Sequence, residues 1–267
     1  MPELPEIESL CRELRPRILG RRLLGARVSQ PKAVNVAPEE LSRQVYGQVV
    51  EEVYRRGKHL VVALPGGALW LHLGLTGQVT IRRAGQSQQD SKVVVAFALD
   101  DGSELRLERA FMGQAHFLSR SESQQREQQL GLEPLSPEFT AATLQQLAAA
   151  RPRWPLKVFL TEQEVIAGLG NTYGDEILFR ARLHPARPLS TLSPTEWQAV
   201  QQATQEVITE AIELGGQPDY VGLEGRPGRY ANRVHGREIC PACGSLLEKL
   251  TLRGRTTYFC PRCQPAQ

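Results

Sequence analysis

The chain has 267 residues, enough for one large domain or two ordinary ones, and 41% of them are hydrophobic, which excludes wholesale disorder. The net charge of +3 says little about partners, but residues 225–267 hold eight Lys or Arg against two acids. A basic C-terminal region is typical of a polyanion-binding protein and equally of a solvated surface. The acidic N-terminus lacks an apolar segment, and no apolar run approaches the roughly 20 residues that span a bilayer. We therefore expect a cytoplasmic protein without a membrane partner.

A helix is predicted at the start of the chain, because apolar residues recur there at the helical period. These residues are Ile7, Leu10, Cys11, Leu14 and Ile18. Pro5 suits the first turn of a helix, and Gly20 suits its end. The first four residues therefore lead directly into a rigid element, and the cysteine on its apolar face is expected to be a small core residue.

Two β-hairpins are predicted before residue 120. Residues 59–64 and 68–73 flank a Pro-Gly-Gly turn, and residues 93–99 and 104–107 flank an Asp-Gly turn. No strand is evident in the sequence between residues 136 and 215. This change of pattern predicts a β-rich first domain whose boundary falls between about residues 120 and 136.

The second half of the chain is predicted to be helical. A Ser-Pro-Thr-Glu capping box starts at Ser193, and its helix is expected to run to Leu214 before two glycines. A further helix is expected over residues 141–150, and Asn171 is expected to cap a helix over residues 175–182. We predict three domains, which are residues 1–130, 131–232 and 233–267.

Four of the five cysteines form two Cys-x2-Cys pairs separated by 16 residues. They are Cys240, Cys243, Cys260 and Cys263. Four thiolates at this spacing close a tetrahedral zinc site, and the lack of an open position excludes a catalytic role for the metal. We predict one structural Zn2+ that holds a β-hairpin between the pairs. Arg253 and Arg255 lie on that hairpin and are candidates for phosphate contacts, while a zinc hairpin alone equally suits protein binding.

Several short motifs of the chain occur in the order and spacing of one known family. They are the start Met-Pro-Glu-Leu-Pro-Glu, Arg56-Gly57-Lys58, Leu71-His72-Leu73-Gly74, the segment 157–176 and the four-cysteine module. Together they resemble the formamidopyrimidine-DNA glycosylase family, to which the endonuclease VIII proteins are related. The resemblance implies an α+β multidomain fold: an N-terminal β-sandwich with a flanking helix, then a C-terminal helical domain with a helix–two-turn–helix motif and a zinc finger. It also implies a monomer that binds damaged double-stranded DNA in a cleft between domains, with Pro2 at its floor.

The resemblance implies that Pro2 is the nucleophile once Met1 has been removed. An α-amino group has a pKa of about 8, against about 10.4 for lysine, so it is uncharged far more often at neutral pH. A neutral amine can attack the sugar C1′ of a damaged nucleotide, displace the base and form an iminium, which acidifies the neighbouring sugar proton and allows strand elimination. Glu3 is implied to move protons beside the nucleophile. Glu6 resembles a second family carboxylate and also suits an ordinary acidic helix N-terminus.

Further candidate residues follow from the same resemblance. Lys58 matches a lysine that contacts phosphate and assists elimination, and Arg255 matches a zinc-finger arginine implicated in phosphate binding and the second elimination. Four more residues match family positions, and we expect them to contact DNA: His72, Lys157, Asn171 and Tyr173. Taken alone, Lys58 is also typical of a surface lysine, and His72 of an interior strand histidine.

The segments that fill the gap left by the extruded base depart from the family pattern. A damaged base must leave the stack before a nucleophile reaches its sugar, and family members fill the gap with a methionine, an arginine and a phenylalanine. Leu75 stands at the methionine position and is acceptable as an apolar wedge. Arg109 and Phe111 reproduce the Arg-x-Phe pair if a small gap is allowed. Alignment on the following glycine instead puts Met112 at the phenylalanine position.

The resemblance implies a base-excision-repair enzyme, a bifunctional DNA glycosylase and abasic-site lyase. We expect it to remove oxidised purines, such as formamidopyrimidine and 8-oxoguanine, by β,δ-elimination without a small-molecule cofactor, and to associate with the nucleoid in a bacterial cell. Which lesion the enzyme removes depends on segments that differ from the family. Lys92 stands near the place of a family histidine, and the base-reading loop within residues 217–230 follows no familiar pattern. The same chemistry on oxidised pyrimidines or abasic sites is therefore an alternative, as is a non-catalytic binder of damaged DNA.

Overall fold

The structure, a computed structural model, describes residues 1–83 and 92–266, which fall into two compact units. The first unit comprises Met1–Gln128 together with the separate segment Pro218–Gly228. The second unit comprises Gln129–Gln217 and the residues from Arg229 onward. The change of unit after residue 128 lies inside the predicted boundary region, while the division into three domains stays a prediction.

The first helix, α1, spans Leu4–Ile18 and confirms the prediction. Its apolar stripe is buried, and Cys11 lies within the core of the first unit. Proline fits the first turn because a helix leaves its first N–H groups without partners inside the helix. Gly20 follows the helix with φ of 76°, in the left-handed region that favours glycine. The helix therefore offers Pro2 a rigid base immediately before its first turn.

Two four-stranded antiparallel sheets form the body of the first unit. Their strands are β1 Leu23–Val28, β2 Glu52–Arg56, β3 His59–Leu64, β4 Gly67–His72, β5 Gln78–Arg83, β6 Val93–Leu99, β7 Ser103–Glu108 and β8 Gln114–Ser119. One sheet has the order β1-β6-β7-β5, and the other has the order β2-β3-β4-β8. Both predicted hairpins are confirmed, as the antiparallel pairs β3–β4 and β6–β7.

The two sheets and α1 share one hydrophobic core. Alternate side chains of a strand point to opposite faces, so each sheet sends one apolar set inward. Leu60 and Leu71 come from one sheet, Phe97 and Leu105 come from the other, and all four are buried. This arrangement is the predicted β-sandwich with a flanking helix. Short helices accompany it within the described residues, namely a 3₁₀ helix at Pro31–Ala33, α2 at Pro38–Val45 and α3 at Arg120–Gln129.

The second unit is mainly helical, as predicted. Its helices are α4 Ala141–Ala149, α5 Leu156–Thr161, α6 Asn171–Arg180, a 3₁₀ helix at Leu189–Thr191 and α7 Pro194–Glu213. The capping box of α7 is confirmed, because the Ser193 N–H donates to the Glu196 carboxylate at 2.8 Å and the Glu196 N–H donates back to the Ser193 hydroxyl. Within residues 1–83 and 92–266, no helix combines the length and the apolar character needed to cross a membrane.

The helix that follows the glycine turn begins earlier than predicted. Helix α6 starts at Asn171 itself with Gly170 as its N-cap, so the predicted capping role of Asn171 is wrong. The Asn171 side chain donates from Nδ2 to the Thr256 carbonyl oxygen at 2.7 Å, which removes it from the helix end. Helices α5 and α6 with the turns between them form the helix–two-turn–helix motif. The zinc-finger hairpin consists of β9 Glu248–Leu252 and β10 Arg255–Phe259.

Candidate active site and DNA-contact residues

The structure divides the predicted site residues between its two units. The first unit holds Pro2, Glu3, Glu6, Lys58, His72, Leu75, Arg109 and Phe111, and the second holds Lys157, Asn171, Tyr173, Arg255 and the four cysteines. Each group forms contacts within its own unit, and these contacts show what each side chain is able to do.

The N-terminal turn holds two buried carboxylates beside Pro2. Glu3 is 4% exposed and Glu6 is 1% exposed. The Glu3 backbone N–H donates to Glu6 Oε2 at 2.8 Å, and the two residues form a reciprocal capping box at the start of α1. A capping box satisfies backbone donors that the helix itself leaves open. The turn after Pro2 is therefore fixed, and both carboxylates are held within it by the capping box.

His72 lies close enough to Lys58 and to the amino terminus, which belongs to Met1 in the structure, for their charges to act on it. Burial lowers the pKa of His72, and the positive charges of Lys58, Arg126 and the amino terminus lower it further. The Gly74 N–H donates to His72 Nδ1 at 3.1 Å, so a neutral His72 carries its proton on Nε2. His72 thus offers a neutral N–H donor in the neighbourhood of a lysine and the terminal amine.

A second histidine and an arginine support His72, and neither was identified from the sequence. The His59 ring lies 5.2 Å from the His72 ring and 5.3 Å from the Trp70 ring, centroid to centroid. Arg126 donates from Nη2 to His59 Nε2 at 3.2 Å and also lies over the Trp70 ring. Because arginine only donates, His59 accepts at Nε2 and stays neutral. Burial, reinforced by the charges of His72 and Arg126, lowers the pKa of His59 to about 3.

The two loops predicted to act as wedges lie side by side. The Leu75 N–H donates to the Phe111 carbonyl oxygen at 3.0 Å, and the Thr76 hydroxyl donates to the Arg109 carbonyl oxygen at 2.7 Å. Gly74 lies so close that a Cβ there would stand 2.1 Å from the Phe111 oxygen. The loops therefore form one continuous surface, which we call the apolar tip: Leu75, Phe111 and Met112.

The apolar tip is exposed, and its backbone is strained. Leu75 is 44% exposed, Phe111 is 66% exposed and Met112 is 70% exposed. Arg109 and Met112 have φ of 52° and 59°, a region that side chains other than glycine rarely adopt. Ala110 between them is buried. Both possible registers of the sequence pattern thus place an exposed apolar side chain on this surface, at residue 111 and at residue 112.

In the second unit, Lys157, Asn171 and Arg255 line one cavity of about 220 Å³. Lys157 Nζ donates to the Asn171 carbonyl oxygen and to Asp175 Oδ1, each at 2.5 Å. The contact of Asn171 with Thr256 joins α6 to strand β10, which begins with Arg255. The start of a helix and three cationic side chains, those of Lys157, Arg253 and Arg255, meet around one cavity that also includes the acid Glu162. The excess of positive charge and the helix N-terminus favour an anion.

Two predicted contact residues are buried in this unit. Tyr173 is fully buried against Tyr230, with ring centroids 5.4 Å apart, and Lys157 is buried in its ion pair. Their roles as DNA contacts stay predictions. In the structure Lys157 lines the cavity, whereas Tyr173 lies in the core of the unit.

Sequence reasoning missed two buried acids that hold α6. Asp175 pairs with Lys157 and, through Oδ2, lies 2.7 Å from His235 Nδ1. Glu176 accepts three backbone N–H groups of residues 233–235 at 2.7 to 3.0 Å. Burial raises the pKa of Glu176 even though these donors act in the opposite direction. Two adjacent acids directly before the apolar run 177–179 were the signal in the sequence, since buried acids require partners.

The four cysteine sulfurs form a cluster that fits zinc. All four lie within 4.8 Å of one another, with Cys240 and Cys263 Sγ 3.8 Å apart and Cys243 and Cys260 Sγ 3.5 Å apart. Four sulfurs bound at ~2.3 Å to one tetrahedral zinc ion lie about 3.8 Å from each other. Gly244, with φ of 72°, supplies the turn that follows the first pair. This is a structural zinc site that closes the base of the β9–β10 hairpin.

Three family models match successive parts of the chain. The formamidopyrimidine-DNA glycosylase N-terminal domain matches residues 1–111, and the formamidopyrimidine-DNA glycosylase H2TH domain matches residues 130–219. The zinc finger found in FPG and IleRS matches residues 238–266. The three matches follow the order that the motifs of the sequence predict.

Similar proteins cover the chain from end to end. A formamidopyrimidine-DNA glycosylase of Geobacillus kaustophilus (strain HTA426) is 38% identical, covering 99% of this chain and 100% of the relative. A solved complex of Lactococcus lactis Fpg with N7-benzyl-Fapy-dG DNA has a TM-score of 0.89 at 28% identity, and the complex with abasic-site DNA has 0.88 at 28%. Each covers 99% of this chain and 100% of the solved chain. The chain therefore belongs to the formamidopyrimidine-DNA glycosylase family.

Proposed function

We propose that this chain is a base-excision-repair DNA glycosylase with abasic-site lyase activity, which removes oxidised purines such as formamidopyrimidine and 8-oxoguanine from double-stranded DNA. The observation that carries the proposal is the N-terminal turn, in which Pro2 immediately precedes a helix fixed by the buried Glu3 and Glu6. The solved Lactococcus lactis complexes hold a formamidopyrimidine lesion and an abasic site, which are the substrate and the intermediate of this chemistry.

The reaction begins with the secondary amine of Pro2 after Met1 is removed. The amine nitrogen bonds to the sugar C1′ as the glycosidic bond breaks, and the base leaves with a proton. Opening of the sugar ring gives an iminium, which makes the proton on C2′ acidic. Loss of that proton expels the phosphate on the 3′ side, and a second elimination expels the phosphate on the 5′ side.

Glu3 is the proposed proton carrier, because its carboxylate is held beside Pro2 and is screened from water. Glu6 positions it through the hydrogen bond with the Glu3 N–H. Lys58 and the neutral Nε2–H of His72 are proposed to hold the phosphate next to the lesion, since both groups donate and both lie near the amino terminus.

The second unit is proposed to hold the DNA backbone. Lys157, Asn171 and Arg255 surround a cavity that suits one phosphate, and Tyr173 supports it from the core. The closed zinc site of Cys240, Cys243, Cys260 and Cys263 keeps the hairpin folded, so that Arg255 stays at this cavity. No step of the reaction passes through the metal.

The apolar tip is proposed to fill the gap that the extruded base leaves. Leu75 and Phe111 present apolar surface for insertion between bases, and Arg109 lies at the same loop. We further propose that residues 1–130, 131–232 and 233–267 act as three domains of a monomer. A chromosomal substrate places this monomer in the cytoplasm, at the nucleoid of a bacterial host.

Borohydride trapping tests the proposed mechanism, because reduction of the iminium leaves a permanent bond between protein and DNA. The purified protein, with Met1 removal and zinc content verified, is incubated with abasic-site duplex and borohydride. We expect a covalent adduct for the wild type. Without the proline ring, the amine of Pro2→Gly is no longer fixed in position, and displacement of a reacting group by about 1 Å lowers a rate about a hundredfold. We therefore expect trapping and base excision to fall by more than about a hundredfold in this variant.

The same preparation separates the alternatives. Excision from a panel of duplexes with single lesions distinguishes oxidised purines from oxidised pyrimidines, or from abasic sites alone. A wild type that binds lesion duplex yet gives no adduct would show a non-catalytic binder of damaged DNA and overturn the proposal.

A further inference from the structure

The turn between β9 and β10 carries an arginine in an unusual backbone conformation. Arg253 and Gly254 connect the paired residues Leu252 and Arg255, and both have positive φ, 45° and 74°. Two-residue hairpin turns favour this geometry, but asparagine, aspartate or glycine normally supplies it. An arginine at such a position is strained, and strain of this kind is found where a side chain has a function. The contacts of the Arg253 guanidinium indicate what that function is.

An aromatic ring, a carboxylate and a cavity lie next to this guanidinium. The Arg253 Cζ lies 4.1 Å from the centroid of the Trp154 ring, a cation–π contact that ties the hairpin turn to the segment before α5. Arg253 Nη1 lies 3.3 Å from Oε2 of Glu162, the residue that follows α5. Arg253 and Glu162 both line the cavity of about 220 Å³ at which Arg255 also stands.

The two contacts of Arg253 differ in strength. A distance of 4.1 Å is well within the roughly 6 Å over which a cation–π contact acts, and Trp154 is half-buried. The pair with Glu162 is long for a charge-assisted hydrogen bond, and 51% of the Arg253 and 37% of the Glu162 side chain are exposed, so the pair contributes little to stability. Trp154 is therefore the firm support of the guanidinium, and Glu162 is a partner that is easily replaced.

A carboxylate and a DNA phosphate compete for the same donors. Both are anions whose oxygens accept from the N–H groups of an arginine in a similar geometry. A phosphate that enters the cavity meets an arginine already directed at an anion, and it meets a carboxylate of like charge. Exchange of the carboxylate for the phosphate gives up a weak, exposed pair and gains a phosphate contact, which releases counterions from the DNA.

We propose that Trp154 and Glu162 are positioning residues for Arg253: Trp154 holds the guanidinium at the cavity, and Glu162 occupies it until a DNA phosphate takes the place of the carboxylate. The inference rests on the proposed function, since it requires that this cavity binds the DNA backbone. Because Trp154 orders a long side chain in advance, less ordering is needed when DNA binds. Glu162 lowers the affinity for every duplex alike, because the exchanged contact is with the backbone and carries no sequence information.

Titrations of a duplex with an uncleavable abasic-site analogue, at salt concentrations from about 50 to 200 mM, test the proposal. Each phosphate contact contributes about 0.9 to the slope of the logarithm of affinity against the logarithm of salt concentration. We expect Arg253→Ala to lower that slope by about 0.9, and Trp154→Ala to lower it similarly, because the guanidinium loses its support. Trp154→Phe keeps an aromatic face and is expected to retain the slope. Arg151→Ala removes another guanidinium from the same ring, 5.2 Å from its centroid, and is the matched control.

Substitution of Glu162 is expected to act in the opposite direction. Glu162→Gln removes the competing charge and is expected to raise the affinity about threefold, within the range that exposed ion pairs contribute. Glu164→Gln removes an exposed charge two residues away and is expected to have a smaller effect. In the Arg253→Ala background, the gain from Glu162→Gln is expected to fall to that of Glu164→Gln, because the carboxylate then has no arginine to hold.

The double variant Trp154→Ala/Arg253→Ala shows whether the ring acts through the arginine. We expect it to bind no more weakly than Arg253→Ala, and losses that add would overturn the inference. An unchanged slope in Arg253→Ala, or weaker binding by Glu162→Gln, would overturn it as well, and both side chains are exposed enough for these variants to keep the fold. A wild type without salt-dependent binding would overturn the proposed function together with the inference.

Discussion

The N-terminal turn and the apolar tip reverse the usual distribution of side chains in opposite ways. Glu3 and Glu6 are carboxylates that lie almost fully buried, whereas Phe111 and Met112 are large apolar side chains with most of their surface in solvent. Soluble proteins rarely bury acids without partners and rarely gather exposed apolar groups at one place. Under the proposed function, DNA completes each of these surfaces: the reacting sugar at the turn, and the stacked bases at the tip.

The two regions differ in what they cost the fold. The carboxylates of the turn take part in a capping box, which stabilises a helix by roughly 1 kcal/mol. The apolar tip holds Arg109 and Met112 at positive φ, and such strain costs roughly 1–3 kcal/mol for each residue. The turn therefore stabilises the fold while holding the proposed catalytic residues, whereas the proposed wedge at the tip destabilises it. Substitutions are expected to separate these roles.

The largest effect is expected from Glu3→Gln. Loss of the proton carrier is expected to lower base excision by about 10²–10³-fold, in the range for general acid–base groups. The amide oxygen still accepts a hydrogen bond, so the thermal midpoint is expected to change little. Single-turnover excision and thermal unfolding measure the two quantities. Glu39→Gln, an exposed acid in the first turn of α2, is the control, and a Glu3→Gln rate within threefold of the wild type would remove Glu3 from the mechanism.

A smaller effect is expected when the apolar tip is trimmed. Phe111→Ala and Met112→Ala are each expected to lower excision about tenfold, since a side chain that stacks with bases contributes roughly 1–3 kcal/mol. The thermal midpoint is expected to stay the same, because neither side chain is buried. Leu24→Ala removes an exposed apolar group elsewhere in the first unit and serves as control.

The pair of variants also settles the register that the sequence leaves open. The larger loss identifies the side chain that enters the gap. If both variants excise at the wild-type rate, the apolar tip is not a wedge. The exposure of its apolar side chains would then have no role in excision, unlike the buried carboxylates of the N-terminal turn.

Elements that depend on neighbours in sequence were predictable. Helix α1, the two hairpins and the four-cysteine module each rest on a local repeat, a turn or a spacing, and each is confirmed. The start of α6 was not predictable in this way. Gly170 is the N-cap, because the Asn171 side chain contacts Thr256, a residue that is distant in sequence.

The residues around His72 could not be predicted from the sequence, for a similar reason. His59 and Trp70 lie on paired strands, and Arg126 reaches them from α3. Nothing local marks these residues, since their meeting depends on strand pairing and on how a helix covers the sheet. The apolar tip has the same origin, because the fit of Phe111 against Gly74 fixes which side chains project.

The smallest effect is a loss of stability in mild acid. The folded protein lowers the pKa of His59 to about 3, so the unfolded chain binds the proton first, near pH 6.5. The stabilisation is therefore complete above pH 6.5 and is lost as the pH falls toward 3, at about 1.4 kcal/mol per pH unit. His72 and His116, whose pKa values burial also lowers, act in the same direction. Thermal unfolding at pH 7.5, 6.5 and 5.5 measures the trend.

The variant His59→Gln isolates the contribution of His59 to this pH dependence of stability. Its amide oxygen can still accept from Arg126, but it does not titrate, so the fall in stability between pH 6.5 and 5.5 is expected to be shallower than in the wild type. Met112→Ala leaves the histidines untouched and is expected to keep the full slope. Parallel slopes for His59→Gln and the wild type would mean that His59 is not held neutral. The buried polar groups of the first unit would then tolerate charge, and the carboxylates of the N-terminal turn would no longer stand out from the rest of the core.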